Sequence, residues 1–321
     1  MQCAEKPQVS FVIPVRNEGP RLLTAVSSIV QGRSSAFPIQ IVLVDDASSD
    51  GCCDALPSAY SWSGDRVQVT VMRLDRWSGI PYARNRGAFA AYADILFITD
   101  ANVQFPSGWD LPVRAGIAHN RALCATIADA DSPFRGYGGT LHLPSMGFDW
   151  LRTPNAFSSY VPISPCTGTV LPTALFRKIG GYDTAMPMYG AAEPEFSVRL
   201  WLSGAEIVLA PDLVLRHRFR PPSERRPFLD AISAIQTHNY LRFGLLYLDQ
   251  PQVLRLLQHY AASAPRHFEK SIRRVWAGDV WARRDLLRRT LPGRFEAFME
   301  RFALQKSRNG SVTSKPQVRV S

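Results

Sequence analysis

Two short apolar stretches near the start of the chain decide its fold: Val9-Ser10-Phe11-Val12-Ile13-Pro14 and Ile39-Gln40-Ile41-Val42-Leu43-Val44-Asp45-Asp46. Short runs rich in β-branched and aromatic residues are typical of strands buried on both faces. Between them, Gly19-Pro20 begins a segment with a proline in its first turn, which favours a helix. Its apolar residues recur at helical spacing: Leu22, Leu23, Val26, Ile29 and Val30. The stretch therefore predicts a strand–helix–strand unit.

The same alternation continues through the first third of the chain. The patterns predict strands over 67–74 and 95–99 and a helix over 81–93. Strands separated by helices favour a parallel sheet, whose ligands bind beyond the carboxyl ends of the strands. Asp45, Asp46 and Asp100 all follow such strand ends, so three carboxylates are expected at one crevice.

Composition narrows the class of protein. The chain has 321 residues, of which 46% are hydrophobic and 20% charged, which excludes disordered, collagen-like and coiled-coil proteins. There is no apolar run of membrane-spanning length, and residues 1–6 lack the basic-then-apolar pattern of a signal peptide. Five cysteines without C-x-x-C spacing favour reduced thiols over disulfides or zinc. We therefore expect a cytoplasmic protein.

The net charge of +10 is unevenly distributed. Residues 1–215 hold 16 Lys and Arg against 19 Asp and Glu, whereas residues 216–321 hold 21 against 8. The basic part is predicted as amphipathic helices over 221–304, followed by a polar, flexible tail over 305–321. It has three interpretations: a lid over an anionic acceptor or diphosphate, a solvated face, or peripheral contact with an anionic membrane. The third rests on paired arginines: Arg273-Arg274, Arg283-Arg284 and Arg288-Arg289. No nucleic acid is expected, because no known binding module occurs.

Two strand ends carry side chains suited to a nucleotide or a metal. In Asp100-Ala101-Asn102, a carboxylate and an amide oxygen two residues apart can reach one hard cation, magnesium or manganese. The alternative is an ordinary turn. Asp46 can hydrogen-bond the base or ribose of a nucleotide, while Asp45 or Ser48 caps the next helix.

A series of motifs resembles the family 2 glycosyltransferases of the GT-A fold, and in particular the catalytic domain of polypeptide N-acetylgalactosaminyltransferases. The resemblance covers about residues 9–220. In chain order the motifs are Ile13–Glu18, Val44–Gly51, Ser78–Ala88, Phe97–Asn102, Ile179–Asp183, Tyr189–Trp201 and His217–Arg220. The resemblance implies an α/β fold with a central mixed sheet flanked by helices, here with a C-terminal helical extension.

The resemblance also implies roles for individual residues. The metal, Mn²⁺ or Mg²⁺, would be held by Asp100, Asn102 and His217. Arg84 would lie near the donor sugar or diphosphate and assist catalysis. The donor site would comprise Pro14, Arg16, Glu18, Asp46, Arg84 and Asp100. Trp77 and Glu195 would contact the acceptor.

Two positions depart from the family pattern. Asn102 replaces the second acid or the histidine of the metal motif, which lowers the charge of the site by one. Glu193 occupies the position where inverting members carry the catalytic base, and a carboxylate there can take the acceptor's proton. In the alternative interpretation, Glu193 or Glu195 only orients the acceptor or caps the next helix.

The sequence thus predicts three regions: a catalytic domain over 1–220 (nucleotide half 1–103, acceptor half 104–220), helices over 221–304, and the tail. The expected activity is transfer from a UDP-sugar to a hydroxyl or thiol of a glycan, lipid, peptide or natural product, with inversion by Glu193. One alternative is a retaining enzyme that modifies peptide Ser or Thr. The other, from a different class, is a nucleotide-sugar sensor or an arginine-rich scaffold.

Overall fold

The computed structural model describes residues 5–60, 62–165 and 167–304. Within them the strands are β1 (Val9–Val15), β2 (Ile39–Asp45), β3 (Val67–Arg73), β4 (Ile95–Ile98), β5 (Val103–Gln104), β6 (Arg121–Asp129), β7 (Arg135–Gly136), β8 (Gly139–His142), β9 (Gly147–Trp150), β10 (Ala156–Ser159), β11 (Thr169–Pro172) and β12 (Glu206–His217). The helices are α1 (Pro20–Gln31), α2 (Leu56–Ala59), α3 (Trp62–Asp65), α4 (Ile80–Ala90), α5 (Asp110–Gly116), α6 (Thr173–Ile179), α7 (Ala192–Leu202), α8 (Pro222–Tyr247), α9 (Gln250–Ser263), α10 (Pro265–Ala277), α11 (Val280–Thr290) and α12 (Phe295–Arg301).

A mixed sheet organises the first two thirds of the chain. Its strands follow the order β3-β2-β1-β4-β11-β6-β12-β5, and β7 pairs with β6. The first four are parallel, and β1 pairs with β2 over its whole length. Strand β11 is antiparallel to both β4 and β6, which makes the sheet mixed. The α/β class with a mixed sheet is therefore confirmed.

The sheet and its helices enclose a core of aromatic and aliphatic side chains. Phe11 on β1 stacks on Phe97 of β4 and meets the edge of Trp109, with ring centroids 5.0 Å apart in both pairs. Helix α1 buries Leu22, Val26 and Ile29 against this core. The expectation that Leu23 shares their face is wrong. Leu23 is 51% exposed, because one residue turns a helix by 100°.

The C-terminal helices share a core with the acceptor half. Leu241, Phe243 and Leu245 of α8 belong to the same buried cluster as Ala192 and Val198 of α7. Helix α12 also packs against α7. The predicted boundary at residue 220 remains a prediction, but the apolar packing is continuous across it.

Two elements of the second half have irregular features. Helix α11 ends before Pro292, because a proline cannot continue the hydrogen-bond ladder, and α12 begins after it. Strand β12 is one strand whose register with β6 shifts between Ala210 and Val214.

Some sequence-based expectations concern residues outside the described ranges. These are the flexible tail over 305–321 and the thiols of Cys3 and Cys166. Cys52, Cys53 and Cys124 are free thiols. Among the helices described, none combines the length and apolarity needed to cross a bilayer.

Candidate active site

Three predicted metal ligands meet where β4 and β12 end. Asp100 lies just beyond β4, and His217 is the last residue of β12. The imidazole Nε2 of His217 is 3.8 Å from Oδ2 of Asp100. Strand β5 pairs with the end of β12, and the amide nitrogen of Asn102 donates to the carbonyl of Arg218 at 2.9 Å. We call Asp100, Asn102 and His217 the metal side of the site.

The metal side fits a hard divalent cation. Nδ1 of His217 is buried and has no hydrogen-bond partner within the described part of the chain. Burial lowers the pKa of His217 and outweighs the opposite effect of Asp100 and Asp129, which favours the neutral imidazole that binds metals. Because the amide nitrogen of Asn102 is engaged, its Oδ1 is the atom suited to a cation. Over the described residues no group of three His, Cys, Asp or Glu side chains is placed to hold a metal, so a cation bound here would need the amide oxygen of Asn102 besides Asp100 and His217.

Arg84 lies at the centre of the site and joins its two sides. Its guanidinium donates from Nη2 to Oδ1 of Asp100 at 2.7 Å and from Nη1 to Oε1 of Glu193 at 2.6 Å. The Arg84 side chain is buried, whereas both carboxylates are partly exposed. The hydroxyl of Thr167 donates to Oδ2 of Asp100. Burial works to raise the pKa of Asp100, but the charge of Arg84, that of His217 and hydrogen bonds outweigh it and hold the pKa below its usual value.

Glu193 is presented by a loop with an unusual backbone, residues 188–191, which with Glu193 we call the acceptor side. Met188, Gly190 and Ala191 have φ values of 61°, 93° and 65°. Such values are costly for residues that have a side chain, so the surrounding structure must hold the loop. Glu193 then falls in the first turn of α7, where the helix dipole stabilises a negative charge.

Helix α8, from the C-terminal region, holds this loop. The amide nitrogen of Asn239, a completely buried residue, donates to the carbonyls of Pro187, Tyr189 and Gly190 at 2.8, 3.3 and 3.1 Å. Nearby, Arg242 of α8 makes a buried ion pair with Asp183 at 2.9 Å. The geometry of the acceptor side therefore depends on residues about fifty positions further along the chain.

The structure corrects the expectation for Glu195. Its side chain is completely buried, and its carboxylate accepts two hydrogen bonds from Arg199, at 2.8 and 2.7 Å, and one from the Tyr247 hydroxyl at 2.7 Å. It therefore ties α7 to α8 and does not reach an acceptor. Nor does Glu193 or Glu195 cap α7, because its N-terminus has no side-chain cap hydrogen bond.

Asp46 shapes the nucleotide half of the site. Its two carboxylate oxygens accept the backbone N–H groups of Ser78 and Gly79 at 2.6 and 2.8 Å, and the residue is only 4% exposed. Gly79 has a φ of 91°, and a Cβ there would lie 2.5 Å from the backbone of Met188. Asp46 thus braces a loop that contacts the acceptor side. Its direct contact with a uracil or ribose remains a prediction.

The remaining predicted donor and acceptor residues are Pro14, Arg16, Glu18 and Trp77. Arg16, two residues after Pro14, donates to the carbonyls of Asp46 and Ala47 and lies over the ring of Trp77, 4.7 Å from its centroid. Trp77 borders a surface cavity of about 430 Å³. Glu18 pairs with Arg220 at 2.7 Å, which links the first motif to the last. Contacts of these residues with a ligand remain predictions.

Sequence reasoning missed two residues of the site. Thr167 lies in the turn before β11 and belongs to none of the sequence motifs. Asn239 is a polar residue on a long helix, where a solvent-facing position is the usual expectation. Only the folded chain brings them to Asp100 and to the acceptor side.

Comparison with known proteins identifies the family. The model of glycosyl transferase family 2 matches residues 10–178, which include Asp46, Arg84 and Asp100. The chain belongs to this family. The polypeptide N-acetylgalactosaminyltransferase 8 of Drosophila melanogaster is 27% identical over 265 residues, covering 76% of this chain and 44% of that protein. This chain therefore covers less than half the length of that relative.

Two solved structures share the fold. GalNAc-T7 with UDP, GalNAc and Mn²⁺ has a TM-score of 0.73 at 20% identity, over 92% of this chain and 57% of that one. TarS residues 1–349 of S. aureus in complex with UDP has a TM-score of 0.54 at 14% identity, over 81% of this chain and 73% of that one. The expected GT-A fold is thereby confirmed for this family 2 glycosyltransferase domain.

Proposed function

We propose that the protein transfers a sugar from a UDP-sugar to a hydroxyl or thiol acceptor, with Glu193 as general base and a divalent metal at Asp100, Asn102 and His217. The observation that carries the proposal is the bridge made by Arg84. One buried guanidinium holds Asp100 at 2.7 Å and Glu193 at 2.6 Å. A donor-side carboxylate and an acceptor-side carboxylate therefore stand on either side of one cation.

The proposed step is a displacement at the anomeric carbon of the donor. The acceptor oxygen or sulfur forms a bond to this carbon while Glu193 takes its proton. The bond from the carbon to the diphosphate oxygen breaks, and UDP leaves with the electron pair. Attack from the face opposite the leaving group inverts the configuration. A general base in such a step contributes about 10²–10⁴-fold to the rate.

The metal side supports the departure of UDP. Asp100, Asn102 and His217 would hold Mn²⁺ or Mg²⁺, and the cation would offset the negative charge that develops on the leaving diphosphate. Arg84 keeps Asp100 ionised and oriented. The neutral imidazole of His217 supplies a nitrogen ligand. The single carboxylate, with an amide in place of a second acid, makes the site less negative than a two-acid motif.

The direct test is UDP release from a panel of UDP-sugars, with Mn²⁺, with Mg²⁺ and with chelator. We expect turnover with at least one donor, dependent on the metal, and a loss of at least about 100-fold in Asp100→Asn. Asp94→Asn is the matched control, since Asp94 is exposed and lies just before β4. Equal metal-dependent turnover in Asp100→Asn would refute the metal assignment.

A second candidate is a retaining enzyme that transfers N-acetylgalactosamine to Ser or Thr of a peptide. It is favoured by the similarity to the Drosophila melanogaster polypeptide N-acetylgalactosaminyltransferase 8 and to GalNAc-T7, whose structure holds UDP, GalNAc and Mn²⁺. NMR of the product separates the two candidates: a β-anomer from the α-linked donor supports inversion by Glu193, and an α-anomer supports the second candidate.

A further inference from the structure

The outer faces of α10 and α11 carry an unusual set of exposed side chains. Helix α10 turns Ser271 and Val275 into the protein, where they are buried against α8. Its opposite face carries Arg266, Lys270 and Arg273, which are spaced four and three residues apart and so project from one side. The apolar face of α10 is therefore already used by the protein, and only its basic face is open to a partner.

Two tryptophans lie exposed at the junction of these helices. Trp276 near the end of α10 is 54% exposed, and Trp281 near the start of α11 is 36% exposed. Their rings pack edge to face, with centroids 4.8 Å apart. An exposed tryptophan pair is unusual for a surface with no binding role, because large apolar side chains favour burial.

Further cations lie on the same two helices. Arg274, Arg288 and Arg289 are exposed, whereas Arg284 is buried and donates to the carbonyls of Leu245 and Leu248 at the end of α8. The exposed acids on the two helices and in the turn between them are Glu269, paired with Arg273, Asp279, paired with Arg242, and Asp285. We define the basic–aromatic patch as Arg266, Lys270, Arg273, Arg274, Trp276, Trp281, Arg288 and Arg289.

We propose that the basic–aromatic patch binds the surface of an anionic lipid membrane. Indole rings favour the boundary between water and lipid, where the apolar ring is buried and the N–H stays hydrated. Lys and Arg beside them attract anionic headgroups, and each basic residue near such a surface strengthens binding about fivefold. The side chains stand on the outer faces of two packed helices, which suits a broad surface better than the groove that single-stranded nucleic acid requires.

The test is co-sedimentation of the full chain with vesicles, without donor or acceptor. We expect binding to vesicles of phosphatidylglycerol and phosphatidylcholine in equal parts, weak binding to phosphatidylcholine alone, and weaker binding as salt rises. Reversal of two charges in R266E/K270E should weaken binding at least about 100-fold. Replacement of both rings in W276A/W281A should weaken it at least about tenfold.

The matched control is R86E/K178E, which changes the net charge equally at exposed positions of α4 and α6. It should bind vesicles as the unaltered protein does. Binding lost equally in R266E/K270E and R86E/K178E, or absent with anionic vesicles, would overturn the proposal. So would displacement of the protein from vesicles by single-stranded RNA at equal mass, or a lipid-free dimer that W276A/W281A converts to monomer. Circular dichroism confirms that each variant folds.

Vesicle binding is independent of the proposed sugar transfer. Asp100→Asn should bind vesicles like the unaltered protein even if it has lost turnover. A protein that binds vesicles but releases no UDP would therefore overturn only the proposed function. A protein that turns over donor but does not bind anionic vesicles would overturn only the membrane proposal.

Discussion

The metal side and the acceptor side of the site are built in different ways. Asp100 and His217 stand at the ends of β4 and β12, and the sheet that fixes them is formed by short apolar runs of the chain. Glu193 instead follows a loop with three positive φ values, and the side-chain amide of Asn239 on α8 donates hydrogen bonds to the carbonyls of this loop. The first side is placed by the sheet, and the second is placed by a distant helix.

This difference assigns a structural role to the C-terminal helices. They are not only the source of the basic charge, since α8 contributes Asn239, Arg242 and Tyr247 to contacts that set the acceptor side. Arg84 then couples the two sides through Asp100 and Glu193. A change in α8 should therefore reach the chemistry through the loop, while the metal side stays intact.

The largest expected effect comes from the proposed base. Glu193→Gln keeps the size of the side chain but cannot take a proton, so kcat should fall about 10²–10⁴-fold with little change in the KM for donor. Steady-state kinetics measure both. Glu296→Gln, exposed on α12, is the control. A loss of less than about tenfold would show that Glu193 is not the base.

Breaking the buried link between α7 and α8 should chiefly cost stability. Arg199→Met leaves the carboxylate of Glu195 buried with only Tyr247, which should lower the free energy of unfolding by about 3–5 kcal/mol. Urea denaturation measures the change. Arg273→Met, which breaks an exposed pair with Glu269, should change it by less than about 1 kcal/mol. Equal effects of the two variants would contradict the structural role of Glu195.

Removing the hydrogen bonds that Asn239 makes to the loop of the acceptor side should lower the catalytic rate without changing the affinity for the metal. Asn239→Ala removes the side-chain donor that holds the carbonyls of Pro187, Tyr189 and Gly190, and the resulting displacement of Glu193 should lower kcat about 100-fold. Mn²⁺ affinity should be unchanged. Gln252→Ala is the matched control, since Gln252 is a buried amide on α9 that caps its helix. If both variants lose activity only in proportion to their unfolding, α8 does not position the loop.

The smallest expected effect on activity comes from removing one hydrogen bond to Asp100 on the metal side. Thr167→Val keeps the shape of the side chain but removes its hydrogen bond to Asp100, so kcat/KM should fall about tenfold. Thr24→Val, on the surface of α1, should leave it unchanged. A larger loss from Thr167→Val than from Asn239→Ala would contradict this expected order of the two variants.

The parts of the fold that follow from local sequence were predictable. Strands β1 to β4 are apolar runs whose spacing predicts parallel pairing, and Asp100 follows such a run within a known motif. The buried position of Glu195 was not predictable from local sequence. Glu193 and Glu195 lie two residues apart and therefore on nearly opposite faces of α7, so only one of them can face the acceptor. Nothing local tells which face turns inward. That choice depends on Arg199 and on Tyr247, a residue fifty-two positions away.

The arginines of the C-terminal region show the same limit. The sequence predicts that Arg283 and Arg284 are both on the surface. In the structure Arg284 is buried and donates to carbonyls at the end of α8. The orphan carbonyls at a helix terminus need a donor, but the sequence does not reveal which side chain supplies it. Long-range partners of polar groups became visible only in the folded chain.

Isothermal titration of UDP into the protein, with and without Mn²⁺, tests most directly whether Asp100, Asn102 and His217 form a metal-dependent donor site. Mn²⁺ should tighten UDP binding at least about tenfold in the unaltered protein and should have no such effect in Asp100→Asn. UDP binding that is equally tight with and without Mn²⁺, or equally enhanced by Mn²⁺ in both proteins, would contradict this assignment.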